Sequence, residues 1–205
     1  MGGAGSGSGG DAGAPAAGMG GGAGEDGEGG QGGAGPDTAA CEAYCGIINA
    51  DDVCGTTGIH AQYPNDEQCV DTCLAFPTDI QTSGNTLACR VMHAGLAAAQ
   101  GPEPHCDHAG PAGVNPCGGQ CAAYCSLMET VCSDKFDTVA DCITECNTVT
   151  GATSTNYVYP PPPGNADTLN CRIAHASNAA FATDPTERMT HCNHAAGEAA
   201  PCLDP

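Results

Sequence analysis

Sixteen cysteines lie between Cys41 and Cys202, and they fall into two series of eight that match in order. Cys41, Cys45, Cys54, Cys69, Cys73, Cys89, Cys106 and Cys117 correspond to Cys121, Cys125, Cys132, Cys142, Cys146, Cys171, Cys192 and Cys202. The intervening gaps are 3, 8, 14, 3, 15, 16 and 10 residues in the first copy and 3, 6, 9, 3, 24, 20 and 9 in the second. Both three-residue gaps are kept while every other gap drifts, so the fixed spacing answers a geometric requirement and the rest are loops. Longer stretches repeat as well: CEAYC (41–45) with CAAYC (121–125), NTLACRVMHA (85–94) with DTLNCRIAHA (167–176), and HCDHAG (105–110) with HCNHAA (191–196). The chain is one module written twice.

The cross-links are needed because the apolar content is too low to fold a chain alone. Leu, Ile, Val and Phe supply only 23 of 205 residues, beside a formal charge of −20. That balance by itself marks disorder; cysteine at nearly one residue in ten across the duplicated span marks a small disulfide-rich scaffold. Residues 1–36 hold 18 of the 31 glycines and no Leu, Ile, Val or aromatic residue. They read as a disordered Gly/Ala/Ser stalk with a reach of roughly 35 Å. Within it, Met1-Gly2 with Ser6 fits a myristoylation pattern and Gly5 to Gly10 fits GxGxxG, but any Gly/Ser tract produces such matches. Only four Lys and Arg cannot neutralise a phosphate backbone, which excludes nucleic acid as a partner. No apolar run approaches 18 residues, so no transmembrane span is expected.

The C-x3-C spacing sets two thiols one turn apart on the same helix face. Asp37-Thr38 caps a helix through Cys41, Cys45 and Ile48, and Asn65 opens another through Cys69 and Cys73, stopped by Pro77. The second copy places them at about Gln120 to Val131 and Thr138 to Cys146. A third helix is expected from Asn85 or Asp167 as N-caps, through Leu87 to Ala99 in the first copy and Leu169 to Ala176 in the second. The fold class is therefore small disulfide-rich α: two tandem three-helix modules, residues 37–118 and 119–205, after the stalk. Two antiparallel helices that each carry C-x3-C join by nested bridges, Cys41 to Cys73 and Cys45 to Cys69, then Cys121 to Cys146 and Cys125 to Cys142. The remaining pairs are expected as Cys54 to Cys89 and Cys106 to Cys117. Structural zinc would call for C-x2-C knuckles, and the chain has none. Because Gly118 and Gly119 lie between the modules and both are acidic, the modules are expected to move on their own.

Three residue sets stand out. Six of seven histidines are paired between copies: His93 with His175, His105 with His191, and His108 with His194, leaving His60 single. Three imidazoles per module suit Cu or Zn if the H-C-x-H loop folds back onto the third helix; otherwise they are core residues bonded to backbone carbonyls. Arg90 and Arg172 each follow a third-helix cysteine, and a structural fork to a carboxylate or to carbonyl oxygens is expected of them. Tyr44 and Tyr124, between the thiols of each first helix, pack over the bridges. No acid pair recurs between copies and no nucleophile motif is present, so no catalysis is expected. Tyr159 with Pro160 to Pro163 reads as a rigid surface loop.

Taken together, C-x-x-Y-C, T-L-x-C-R-x-x-H-A, H-C-x-H-A and a final cysteine resemble a Cys-rich tandem repeat of exported, often lipid-anchored proteins of Gram-negative bacteria. The resemblance covers roughly residues 38–205. It implies export to the extracellular space or outer cell surface, tandem use, and a stalk after a lipidated cysteine; neither a leader nor such a cysteine stands in these residues, so anchoring is expected of a precursor. It implies no activity. The expected function is an exported, disulfide-stapled surface binding or structural module with a protein or surface partner and no cofactor. The alternative is a metal (Cu or Zn) or haem binding module through the repeated histidines, and the discriminator is whether three histidines of one module lie close enough to share an ion.

Overall fold

The computed structural model describes residues 35–154, 156–161 and 167–202. The stalk reading thus falls, for residues 1–34, outside the described residues, as does Pro162 to Gly164 of the proline-rich loop. Among the described residues the chain is helical, without a strand: α1 (Thr38–Ile48), α2 (Asp66–Cys73), α3 (Leu87–Gln100) and α4 (His105–Ala109) in the first copy, then α5 (Gln120–Val131), α6 (Val139–Cys146), α7 (Leu169–Phe181) and α8 (Pro185–Ala195) in the second. No helix there is long and apolar enough to cross a membrane.

The helix starts follow local chemistry. Asp37 accepts from Ala40 N, Asn65 from Gln68 N and Thr138 from Asp141 N, each satisfying an orphan amide of the first turn. The third helix of each module starts one residue later than expected. Thr86 and Thr168, not Asn85 and Asp167, are the N-caps, accepting from Cys89 N and Cys171 N. The residues before them are freed for other work described below.

Eight disulfides cover all sixteen cysteines, each within its own copy, with none free. The nested pairs are as the spacing predicts: Cys41–Cys73, Cys45–Cys69, Cys121–Cys146 and Cys125–Cys142. The other pairing is different from the expected one. Cys54 joins Cys106 and Cys89 joins Cys117, matched by Cys132–Cys192 and Cys171–Cys202. The reason is that the H-C-x-H segment is a helix and not a loop. Its cysteine is carried back to the chain leaving the first helix, while the first turn of α3 or α7 faces the returning C-terminal end of the module. Each copy therefore has a fourth helix beyond the three read from periodicity.

The described residues of both copies fall into one compact unit. Its core of bridged cysteines, small Ala residues and four buried tyrosines draws on both copies. Polar bonds cross between them: Gln68 Nε2 donates to Asn178 Oδ1 at 2.8 Å, Asn85 Nδ2 to Ala122 O at 3.2 Å, Tyr157 N to Asp107 Oδ1 at 3.2 Å, and Tyr159 N to Ala61 O at 3.2 Å. The long second-copy gap between Cys146 and Cys171 contributes the last two contacts, so its extra length serves as an inter-module strap. Like charge did not keep the copies apart because side-chain amides and backbone groups make most of these contacts, and the one carboxylate among them, Asp107, meets a backbone N–H and no second acid.

Candidate metal centre

One histidine of each module is fixed by its neighbours on the third helix. Cys89 and His93, like Cys171 and His175, stand four residues apart on one helix face, and the bridge at the cysteine holds that face against the end of the module. The other two histidines come from the fourth helix, three residues apart as H-C-x-H, with their shared cysteine bridged to the end of the first helix. Two disulfides thus bring the histidine-bearing faces together, one from each side.

The result is a convergence of ring nitrogens in both copies. His93 Nδ1 lies 3.2 Å from His105 Nδ1 and 3.4 Å from His108 Nδ1; His175 Nδ1 lies 3.0 Å from His191 Nδ1. In each triad one nitrogen from every histidine lies within 4.8 Å of the others. Ring centroids are 5.5, 4.7 and 6.2 Å apart in the first triad and 5.2, 4.7 and 6.1 Å in the second, with one near-parallel and two near-perpendicular pairs in each. Three nitrogens bound tetrahedrally to one Zn-like ion at about 2.0 to 2.1 Å stand roughly 3.3 Å apart, close to the His93–His105, His93–His108 and His175–His191 separations. Hydrogen bonding among the rings leaves part of the cluster unsatisfied. A neutral imidazole carries one N–H, and His93 Nδ1 cannot donate fully to both neighbours. In the second triad His194 Nδ1 is buried with no hydrogen-bond partner. His60, the unpaired histidine, belongs to neither triad.

Electrostatics keeps these rings in the ligand form. Burial, then the neighbouring imidazoles, lowers His108 and His175 to about 4, and burial likewise lowers His93, His191 and His194. Neutral imidazole is the form that binds a cation. Cys89 and Cys117 crowd His93, and Cys171 and Cys202 crowd His175, but as disulfides they offer no thiolate.

Sequence reasoning missed how the first helix supports the site. Tyr44 Oη donates to Ala109 O at 2.6 Å and Tyr124 Oη to Ala195 O at 2.8 Å. Both carbonyls follow the last histidine of a triad, at the end of the fourth helix where carbonyls lack helical partners. The tyrosines are buried in the same core as the bridges, and they tie down the histidine helix. The signal was present in the repeat, since C-x-x-Y-C and H-A occur in both copies.

The arginines use both of the expected partner types, one in each copy. Arg172 is forked by Asp167 (Nε to Oδ1 2.6 Å, Nη2 to Oδ2 2.8 Å) and also bonds Glu145 Oε1 at 2.8 Å. Arg90, fully buried, donates to Gly110 O and Thr86 O and lies 4.0 Å over the Phe76 ring, while its Nη2 has no partner. The positions equivalent to Asp167 and Glu145 hold Asn85 and Thr72, so the first copy has lost both carboxylates. Gly113 and Gly197, both at positive φ, let the backbone lie against these guanidinium groups where a Cβ would collide.

Residues 36–123 match the model of the BfoA family C-terminal domain. The match covers the first module and enters α5, and the second module repeats the motifs it contains. No curated protein and no solved structure matches the chain.

Proposed function

We propose that the protein is an exported metal-binding protein in which each module holds one Cu(II)- or Zn(II)-type ion through the Nδ1 atoms of three histidines: His93, His105 and His108, then His175, His191 and His194. The observation that carries this reading is the same nitrogen convergence in two copies whose loops differ in length. A merely structural histidine needs one carbonyl or carboxylate partner; here the ring nitrogens face one another, and His194 Nδ1 is buried without a hydrogen-bond partner. The formal charge of −20 also favours accumulation of cations near the chain. The role is binding, without a catalytic step. Eight disulfides support an oxidising, extracellular setting, and the resemblance to exported Cys-rich repeats supports the same location.

Calorimetric titration of the disulfide-intact chain with Zn(II) and with Cu(II) at pH 7.5 tests the reading. The expected result is two ions per chain, falling to one in His93→Ala or His108→Ala and to one in His175→Ala. If these variants leave uptake unchanged and only lower the melting temperature, the histidines are core residues, and the surface binding or structural role replaces metal binding.

A further inference from the structure

The two triads agree in ring geometry but differ in the helix that carries them. In the first copy α4 has five residues and starts at His105 itself, with no side-chain cap from Pro104. In the second, α8 starts at Pro185, a turn and a half before His191, and Asp184 caps it by accepting from Thr186 N at 2.8 Å and Glu187 N at 3.0 Å. His191 and His194 therefore sit on an eleven-residue, capped helix, whereas His105 occupies the first turn of a minimal one.

The added turn also supplies a carboxylate. Glu187 stands four residues before His191, with Oε1 3.9 Å from Nε2. That nitrogen is on the other side of the ring from the Nδ1 that meets His175 at 3.0 Å. At 3.9 Å the carboxylate is beyond hydrogen-bond reach and acts on the ring through its charge, which favours the tautomer with its proton on Nε2 and its lone pair on Nδ1. Four residues before His105 the first copy has Gly101, which cannot do this.

From these two differences we infer that the sites are unequal: the second module, with Glu187 as a positioning residue, holds its ion more tightly and fills first. Helix capping reduces the ordering that binding must impose, and the carboxylate fixes the direction of one donor; both act on the same triad. The inference rests on the metal reading above and goes beyond it by giving the two ions an order.

The full, disulfide-intact chain titrated with Zn(II) alone at pH 7.5 should show two classes of one ion each. His191→Ala should remove the tighter class and His105→Ala the weaker. Glu187→Gln, a surface change that keeps the side-chain shape, should weaken the tighter class about tenfold and leave the other unchanged. In the metal-free protein, nitrogen NMR of the His191 ring should show the Nε2–H tautomer, with that preference reduced in Glu187→Gln; a purely structural role for Glu187 would not move it. Two ions bound with equal affinity, or a tighter class lost in His105→Ala, would overturn the inequality alone. Failure to bind Zn(II) or Cu(II) at either triad would overturn the metal reading together with it.

Discussion

At the scale of single residues, the duplication makes one copy a control for the other. Arg172 is a buried cation with two carboxylates and Arg90 is a buried cation with none. For Arg172 burial acts to lower the guanidinium pKa, but the hydrogen bonds it donates to Asp167 and Glu145 outweigh it and the pKa is raised; for Arg90 burial dominates and lowers it. Removing one partner of a buried ion pair costs about 3 to 5 kcal/mol, because the remaining charge is stranded. Arg172→Met should therefore cost about 3 kcal/mol, at the lower end because Glu145 is half exposed. Arg90→Met removes an uncompensated charge and should cost about 1 kcal/mol, mainly for hydrogen bonds to Gly110 and Thr86. Chemical denaturation of the two variants with disulfides intact checks the order; equal losses would mean that Arg90 has a counter-charge not seen in this packing. The histidines give a second residue-level prediction. Burial holds His93, His108, His175, His191 and His194 below the ordinary 6.5, so below that pH these rings bind more protons in the unfolded chain than in the folded one. Their contribution to stability is complete above about pH 6.5 and declines as pH falls toward 4. The melting temperature of the metal-free protein should fall between pH 7.5 and 4.5, and His108→Gln should show a shallower slope. A slope unchanged in that variant would contradict the neutral, buried state of the ring.

At the scale of elements, what could be read from the sequence was whatever local chemistry alone decides. Helices α1, α2 and α6 follow from C-x3-C and an N-cap residue, both signals within a dozen residues, and α5, which starts after Gly119 without a side-chain cap, follows from C-x3-C and the repeat; the nested bridges come with them. The pairing of Cys54 with Cys106 was not legible, because it depends on where the H-C-x-H segment lies in space. In the first copy the segment carries no helix signal, since α4 follows Gly101, Pro102 and Pro104 and is too short to show periodicity. The second copy carries one, with Asp184 at the N-cap, Pro185 at N1 and Glu187 in the first turn, and these residues have no counterpart before His105. The histidine set was legible as six repeated residues, whereas their convergence was not, because it follows from the two bridges that were misassigned. The tyrosine of the first helix couples these elements. Tyr124→Phe leaves Ala195 O without its partner in a buried setting, at a cost of about 1 to 3 kcal/mol, and loosens the end of α8 next to His194. Zinc affinity of the second site should fall several-fold while the first site is unaffected. Tyr44→Phe should act on the first site alone. If both variants lower stability and neither changes metal affinity, the hydroxyl serves the core and has no part in placing the histidines.

At the scale of the whole molecule, disulfides confined to each copy would permit two independent bodies, and the packing argues against that. Gln68 of α2 and Asn178 of α7 meet across the copies at 2.8 Å, partly buried, and the strap that carries Tyr157 lays a fully buried ring and two backbone amides against the first copy. The acidic surface repels itself, yet that repulsion is screened beyond about 10 Å in 0.1 M salt, while the contacts between copies are short and set no two carboxylates against each other. Heating the disulfide-intact chain should therefore give one cooperative calorimetric transition, with the calorimetric enthalpy equal to the van't Hoff enthalpy. A double-mutant cycle of Gln68→Ala with Asn178→Ala should return a coupling of about 0.5 to 1.5 kcal/mol. Two transitions, together with a coupling near zero, would mean that each module unfolds alone. The packing predicts instead that Zn(II) bound to one triad raises the melting of both modules, since an ion that binds only the folded state stabilises every part that unfolds with it. In His105→Ala, where the second triad alone is intact, zinc should still move the single transition upward as one; a split into a shifted and an unshifted component would show that the core does not connect the two sites.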